Sequence, residues 1–118
     1  MISGLGTDII EIERIRRAVA KKNFRDNVFT QIEQNYCNAR GKNSAASYAA
    51  RFAAKEAFFK ALGTGIILPL TDVEIVNDER GAPKIHLRGK VAELAESKNI
   101  SLSLSHSKDF ATAVCIIE

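Results

Sequence analysis

The sequence predicts an α+β fold, a single domain in which a mainly antiparallel sheet packs with helices. Three observations carry this. Residues 44–62 form an alanine-rich run with apolar side chains at helical spacing. Segments near both ends alternate apolar and polar residues with the period of two that a half-buried strand shows. No internal repeat or low-complexity segment appears, and helices do not alternate regularly with strands as a parallel sheet would require. The 118 residues suit one domain spanning 1–118.

Met1 to Ile10 reads as a strand, with Gly4 and Gly6 on the same face as Asp8. Glycines there indicate either close backbone approach or a weakened edge strand. A helix is expected from about Glu11 to Lys22, with Ile12, Ile15 and Val19 as its apolar stripe. Arg14, Arg17 and Lys21 line another face, and Arg25 joins them if the helix continues. Phe24, Val28, Phe29 and Ile32 support one or two short helices, and Asn38 to Asn43 reads as a loop. The long helix then runs to Leu62, with Ser44 as its expected N-cap and Gly63 at its end. Strands follow at Val73–Asn77 and Lys84–Arg88, separated by an Asp78–Gly81 turn, with a short helix at Lys90–Lys98. Ile100 to Ser105 alternates apolar residues with serines, Ser107–Asp109 forms a turn, and Phe110–Ile117 is the last strand.

A hydrophobic content of 46% with 26% charged residues belongs to a soluble globular chain. No apolar run has spanning length and no signal-peptide core is visible, so a cytoplasmic location away from membranes is expected. Cys37 and Cys115 lack metal-ligand spacing and read as free thiols in a reducing compartment. The net charge of +3 fits a phosphate-bearing or acidic protein partner, and is too weak to indicate nucleic acid.

Glu56 stands out because it lies on the flank of an apolar helical stripe, beside Phe52, Phe59 and Lys60. Such a carboxylate needs a partner. Asp8 could complete a Mg²⁺ site with it, the remaining positions going to water and substrate phosphates; equally, Asp8 could cap the helix that follows. Lys60 could pair with Glu56 on the helix surface or neutralise a phosphate oxygen. Lys55 falls among Tyr48, Phe52, Phe59 and Leu62, where it must snorkel or find a counter-charge. Gly63-Thr64-Gly65 could present backbone N–H groups to an anion or simply end the helix. His106 and Ser107 are candidates for polar ligand contact, and no G-x-S-x-G elbow supports a Ser–His nucleophile. The basic helix face is either solvated or a docking surface for an acidic partner.

In order along the chain, Gly4-Leu5-Gly6-Thr7-Asp8-Ile9-Ile10-Glu11-Ile12, Arg51-Phe52-Ala53-Ala54-Lys55-Glu56-Ala57, Lys60-Ala61-Leu62-Gly63-Thr64-Gly65 and Ser103-Leu104-Ser105-His106-Ser107 resemble holo-[acyl-carrier-protein] synthase. This is the short bacterial class of 4′-phosphopantetheinyl transferases. The resemblance spans nearly the whole chain and is weakest from Asn35 to Ala46.

The resemblance implies the 4′-phosphopantetheinyl transferase fold. It also implies transfer of the phosphopantetheine arm of coenzyme A to a serine of apo acyl carrier protein, with release of 3′,5′-ADP, in support of fatty acid biosynthesis. It implies Mg²⁺ as cofactor, with Asp8 and Glu56 as its ligands, Lys60 on the phosphate or leaving group, and Glu56 as one candidate base. Gly63, Thr64, Gly65, His106 and Ser107 would then contact the coenzyme, and Arg14, Arg17, Lys21 and Arg25 would meet the acidic carrier. A homotrimer with sites at subunit interfaces is also implied. Two rivals explain less: a non-catalytic adaptor leaves Asp8 with Glu56 unexplained, and another Mg²⁺-dependent nucleotide hydrolase leaves the basic helix unexplained.

Overall fold

The computed structural model describes residues 1–118. One helix, α4 (Ser44–Leu62), forms the centre, and most of its side chains are buried. It is apolar on nearly every side, as a helix covered by other elements must be. Against it lies a three-stranded antiparallel sheet in the order β1-β5-β4, made of β1 (Gly4–Glu11), β5 (Phe110–Ile117) and β4 (Ile100–His106). Gly4 pairs with Ile117 and Glu11 with Phe110, so β1 and β5 match along their whole length. A second sheet is the hairpin of β2 (Val73–Asn77) and β3 (Pro83–Leu87).

Small residues let the helix approach the sheet. The inner face of β5 carries Ala111, Ala113 and Cys115, all fully buried. On β1 the inner face carries Gly4, Gly6, Asp8 and Ile10. A Cβ added at Gly6 would stand 2.0 Å from the carbonyl oxygen of Ala57, and one at Gly4 would stand 2.1 Å from that of Ala61. The two glycines therefore mark close approach, and β1 is also an edge strand; both sequence expectations hold together.

Other elements differ from expectation in instructive ways. The helix expected over 11–22 is shorter, α1 (Ile12–Val19), and the short helix expected after it is α2 (Lys22–Val28), set off by an extended Lys21. The break redirects the chain so that Phe24 reaches Phe29 and Phe52, with ring centroids 6.3 and 6.0 Å away. Next, α3 (Gln31–Asn38) opens on a reciprocal capping box between Thr30 and Glu33. Ser44 is not the N-cap of α4. Asn43 holds that position without a side-chain bond, because a 3₁₀ turn at Gly41–Asn43 runs into the helix and the Ser44 N–H donates to the Gly41 carbonyl. The helix expected to reach Lys98 is shorter, α5 (Gly89–Leu94), and Ser97 turns the chain with a φ of 66°. Gly63 ends α4 as expected, in the left-handed region at φ 81°.

Cys37 and Cys115 are free and buried, and burial pushes their thiols up to about 12 and about 11. No helix is long and apolar enough to cross a membrane.

Candidate active site

The contact between β1 and α4 brings Asp8 to Lys60 and Glu56. The Lys60 ammonium donates to Asp8 Oδ1 at 3.1 Å and to the Thr7 carbonyl at 3.0 Å. Lys60 thus pairs across to the strand, and no ion pair joins it to Glu56 one turn back on its own helix. Asp8 does not cap α1: the cap position belongs to Glu11, which makes no side-chain bond to the helix.

Glu56 is partly buried and has no hydrogen-bond partner among the protein side chains. Burial raises its pKa above the ordinary carboxylate value, and the negative charge of Asp8 raises it further. The positive charges of Lys60 and Arg14 oppose this. Two carboxylates therefore burden each other in a place that two cations relieve only partly. Their oxygens are the hard donors that Mg²⁺ takes, and that ion needs few protein ligands because water and phosphate complete its shell. No third His, Cys, Asp or Glu converges on the pair. The residues present fit a divalent ion that is shared with an anionic ligand.

Arg14 links this pair to the basic helix. Arg14, Arg17 and Lys21 line one shallow cleft of about 500 Å³ together with Glu11 and Glu13. Arg17 Nε lies 3.4 Å from Glu13 Oε2, and Arg16 donates to the other oxygen of the same carboxylate. Arg25 departs from expectation. The chain breaks before it, and its Nη1 donates to the Val19 carbonyl, where it closes the end of α1.

Gly63, Thr64 and Gly65 follow α4 directly and are exposed. Thr64 Oγ1 donates to the Gly65 carbonyl. His106 and Ser107 lie elsewhere, at the β4–β5 turn, in a cleft shared with Arg16, Lys42, Asn43 and Lys108. Ser107 also holds that turn: its N–H donates to the Phe110 carbonyl and its Oγ accepts from the Phe110 N–H. No cavity of the single chain is lined by Asp8 or Glu56.

Sequence reasoning anticipated the isolation of Lys55 but missed its partner. Lys55 is fully buried and lies 2.9 Å from Glu33 Oε1, itself fully buried. Burial pulls the lysine pKa down, and the charge of Glu33 works against that. The signal for Glu33 was present in Thr30-Gln31-Ile32-Glu33, a capping-box pattern that places the acid at the start of a helix.

Comparison with known proteins identifies the family. A sequence model for the 4′-phosphopantetheinyl transferase superfamily matches residues 4–115. The holo-[acyl-carrier-protein] synthase of Fusobacterium nucleatum is 44% identical over 122 residues, which cover 99% of each chain. The solved structure of holo-[acyl-carrier-protein] synthase from Neisseria meningitidis superposes with a TM-score of 0.89 at 34% identity, covering 100% of this chain and 99% of that one. The Bacillus anthracis enzyme, solved in complex with CoA (3′,5′-ADP), superposes with a TM-score of 0.84 at 38% identity, covering 100% and 97%. A fold shared along its full length and sequence identity of this order show that the chain belongs to the 4′-phosphopantetheinyl transferase superfamily, among the holo-[acyl-carrier-protein] synthases.

Proposed function

We propose that this protein transfers the 4′-phosphopantetheine arm of coenzyme A to a serine hydroxyl of apo acyl carrier protein, releasing 3′,5′-ADP. The reaction depends on Mg²⁺, takes place in the cytoplasm and supports fatty acid biosynthesis. The observation that carries this reading is the convergence of Asp8, Glu56 and Lys60 beside the basic α1. Family membership and the coenzyme A bound to the Bacillus anthracis relative support it further.

Asp8 and Glu56 would hold the cation, which when bound neutralises charge on the coenzyme A diphosphate. Lys60, already oriented by Asp8 and Thr7, would place its ammonium against the phosphate or the departing oxygen. The serine oxygen bonds to the phosphorus bearing the pantetheine arm, the bond from that phosphorus to 3′,5′-ADP breaks, and the serine proton passes to a base. Glu56 is one candidate for that base in this chain. Gly63, Thr64 and Gly65 would line the coenzyme pocket, together with His106 and Ser107.

A homotrimer, with the coenzyme pocket assembled between copies, is part of the same reading. The outer face of the three-stranded sheet offers a surface for that assembly. Leu5 and Ile9 are 64% and 63% exposed there, beside exposed Val114 and Phe110. Arg14, Arg17 and Lys21 would meet the acidic carrier. The direct test is to incubate the protein with apo carrier, coenzyme A and Mg²⁺ and weigh the carrier by mass spectrometry. Gain of the phosphopantetheine mass is expected; a carrier of unchanged mass would sink the proposal.

A further inference from the structure

Lys55 lies about 100° around the α4 axis from Glu56, so the two neighbours face different parts of the molecule. Glu56 faces Asp8, whereas Lys55 points into the protein and finds three acceptors. Its ammonium donates to Glu33 Oε1 at 2.9 Å, to the Val73 carbonyl at 2.6 Å and to the Leu70 carbonyl at 3.1 Å. All three N–H bonds of the lysine are thereby used. Glu33 is equally committed: Oε1 also accepts from the Thr30 N–H at 2.9 Å, and Oε2 accepts from the Ile75 N–H at 2.8 Å.

These bonds have a definite geometry. Leu70 and Val73 flank the 3₁₀ turn at Leu70–Asp72, where the chain returns from Gly63-Thr64-Gly65 to β2. Thr30 belongs to the start of α3 and Ile75 to β2. One buried ion pair thus fixes α4 to three other segments, on the side of the helix away from β1. A fully desolvated charge costs much unless every partner is in place, so the pair tolerates one setting of the helix and resists others.

We propose that Lys55 and Glu33 are positioning residues for the transfer site. They fix the rotation of α4, so that Glu56 and Lys60 stay aimed at Asp8, and they hold down the segment that follows the Gly-Thr-Gly turn. The inference rests on the reading of Asp8 and Glu56 as cation ligands given above. A pair serving stability alone, once replaced in a protein that still folds, would leave Mg²⁺ affinity unchanged; a positioning pair would not.

The test uses the double variant Glu33→Leu with Lys55→Met, which removes both charges together. Glu33→Gln with Lys55→Gln, which keeps polar side chains of near-equal length, is the second variant. Melting temperature, Mg²⁺ binding by calorimetry in the presence of coenzyme A, and hydrogen exchange of the amides of residues 66–73 are measured on each. The expected result is a cooperative fold with a lowered melting temperature, because the Thr30 and Ile75 N–H groups and the Leu70 and Val73 carbonyls lose their partners, together with Mg²⁺ affinity weakened about 10–100-fold and faster exchange over 66–73. A folded variant with wild-type Mg²⁺ affinity and wild-type exchange would overturn the inference. The reading it rests on is checked separately: it fails if the wild-type protein binds no Mg²⁺ with coenzyme A or leaves the carrier unmodified.

Discussion

Glu56 carries opposite consequences for stability and for chemistry. Its pKa is raised by burial first and by Asp8 second. A carboxylate raised on folding binds its proton more tightly in the native state, so stability falls as pH rises from the ordinary value near 4.5 through the raised one. Glu56→Gln should flatten that limb and raise the melting temperature of the metal-free protein at neutral pH. The same variant should lower the transfer rate by at least about a hundredfold, read by carrier mass against time. Glu74 behaves in the opposite sense. Burial raises its pKa, but hydrogen bonds from Thr30 and Arg88, with the Arg88 charge, outweigh this and leave it lowered. Its contribution is therefore present above about 4.5 and is lost as pH falls through the lowered value. Arg88→Met should shift acid unfolding, followed by circular dichroism, to higher pH. Little of this second site was legible beforehand, because Thr30, Glu74 and Arg88 are far apart in sequence and only the fold joins them.

At the scale of elements, α4 and the alternating strands could be read directly, since period and composition agree there. The junction between α1 and α2 could not. Its residues Ala20-Lys21-Lys22-Asn23 allow a helix to continue, and the edge-on packing of Phe24 against Phe29, with its tilted contact to Phe52, favours the turn instead. This correction trims the basic face to Arg14, Arg17 and Lys21. Arg17→Glu with Lys21→Glu should raise the KM for the carrier on the order of tenfold, with the salt dependence reduced and the KM for coenzyme A unchanged. Equal loss for both substrates would remove the docking assignment. The β1–α4 contact makes a different prediction. Gly6→Ala sets a methyl 2.0 Å from the Ala57 oxygen, where neither backbone can yield cheaply. It should destabilise the protein by about 1–3 kcal/mol in denaturant melts, and a neutral result would mean that the helix can slide.

For the whole molecule, the sequence singled out candidate residues without showing which of them the fold brings together. Asp8, Glu56 and Lys60 do converge. His106 and Ser107 form a separate cleft, and no periodicity in one chain reports on what a second copy would bring beside it. The exposed apolar face of the three-stranded sheet makes the proposed assembly measurable. Leu5→Glu with Ile9→Glu should convert a trimer into monomers by light scattering, and transfer should be lost with it although Asp8, Glu56 and Lys60 are untouched. Full activity in a monomer would show that one chain holds the entire site.

The meeting of Gly4 and Gly6 with the carbonyl oxygens of Ala61 and Ala57 has a consequence for how such a protein can change over time. Main chain rests on main chain there, so the spacing between the strand and the helix is set at that point by van der Waals contact of backbone atoms and not by side chains. A saturation-mutagenesis map should accordingly be lopsided along this one strand: positions 4 and 6 should admit nothing beyond glycine, while exposed positions 5 and 9 should follow only the demands of assembly.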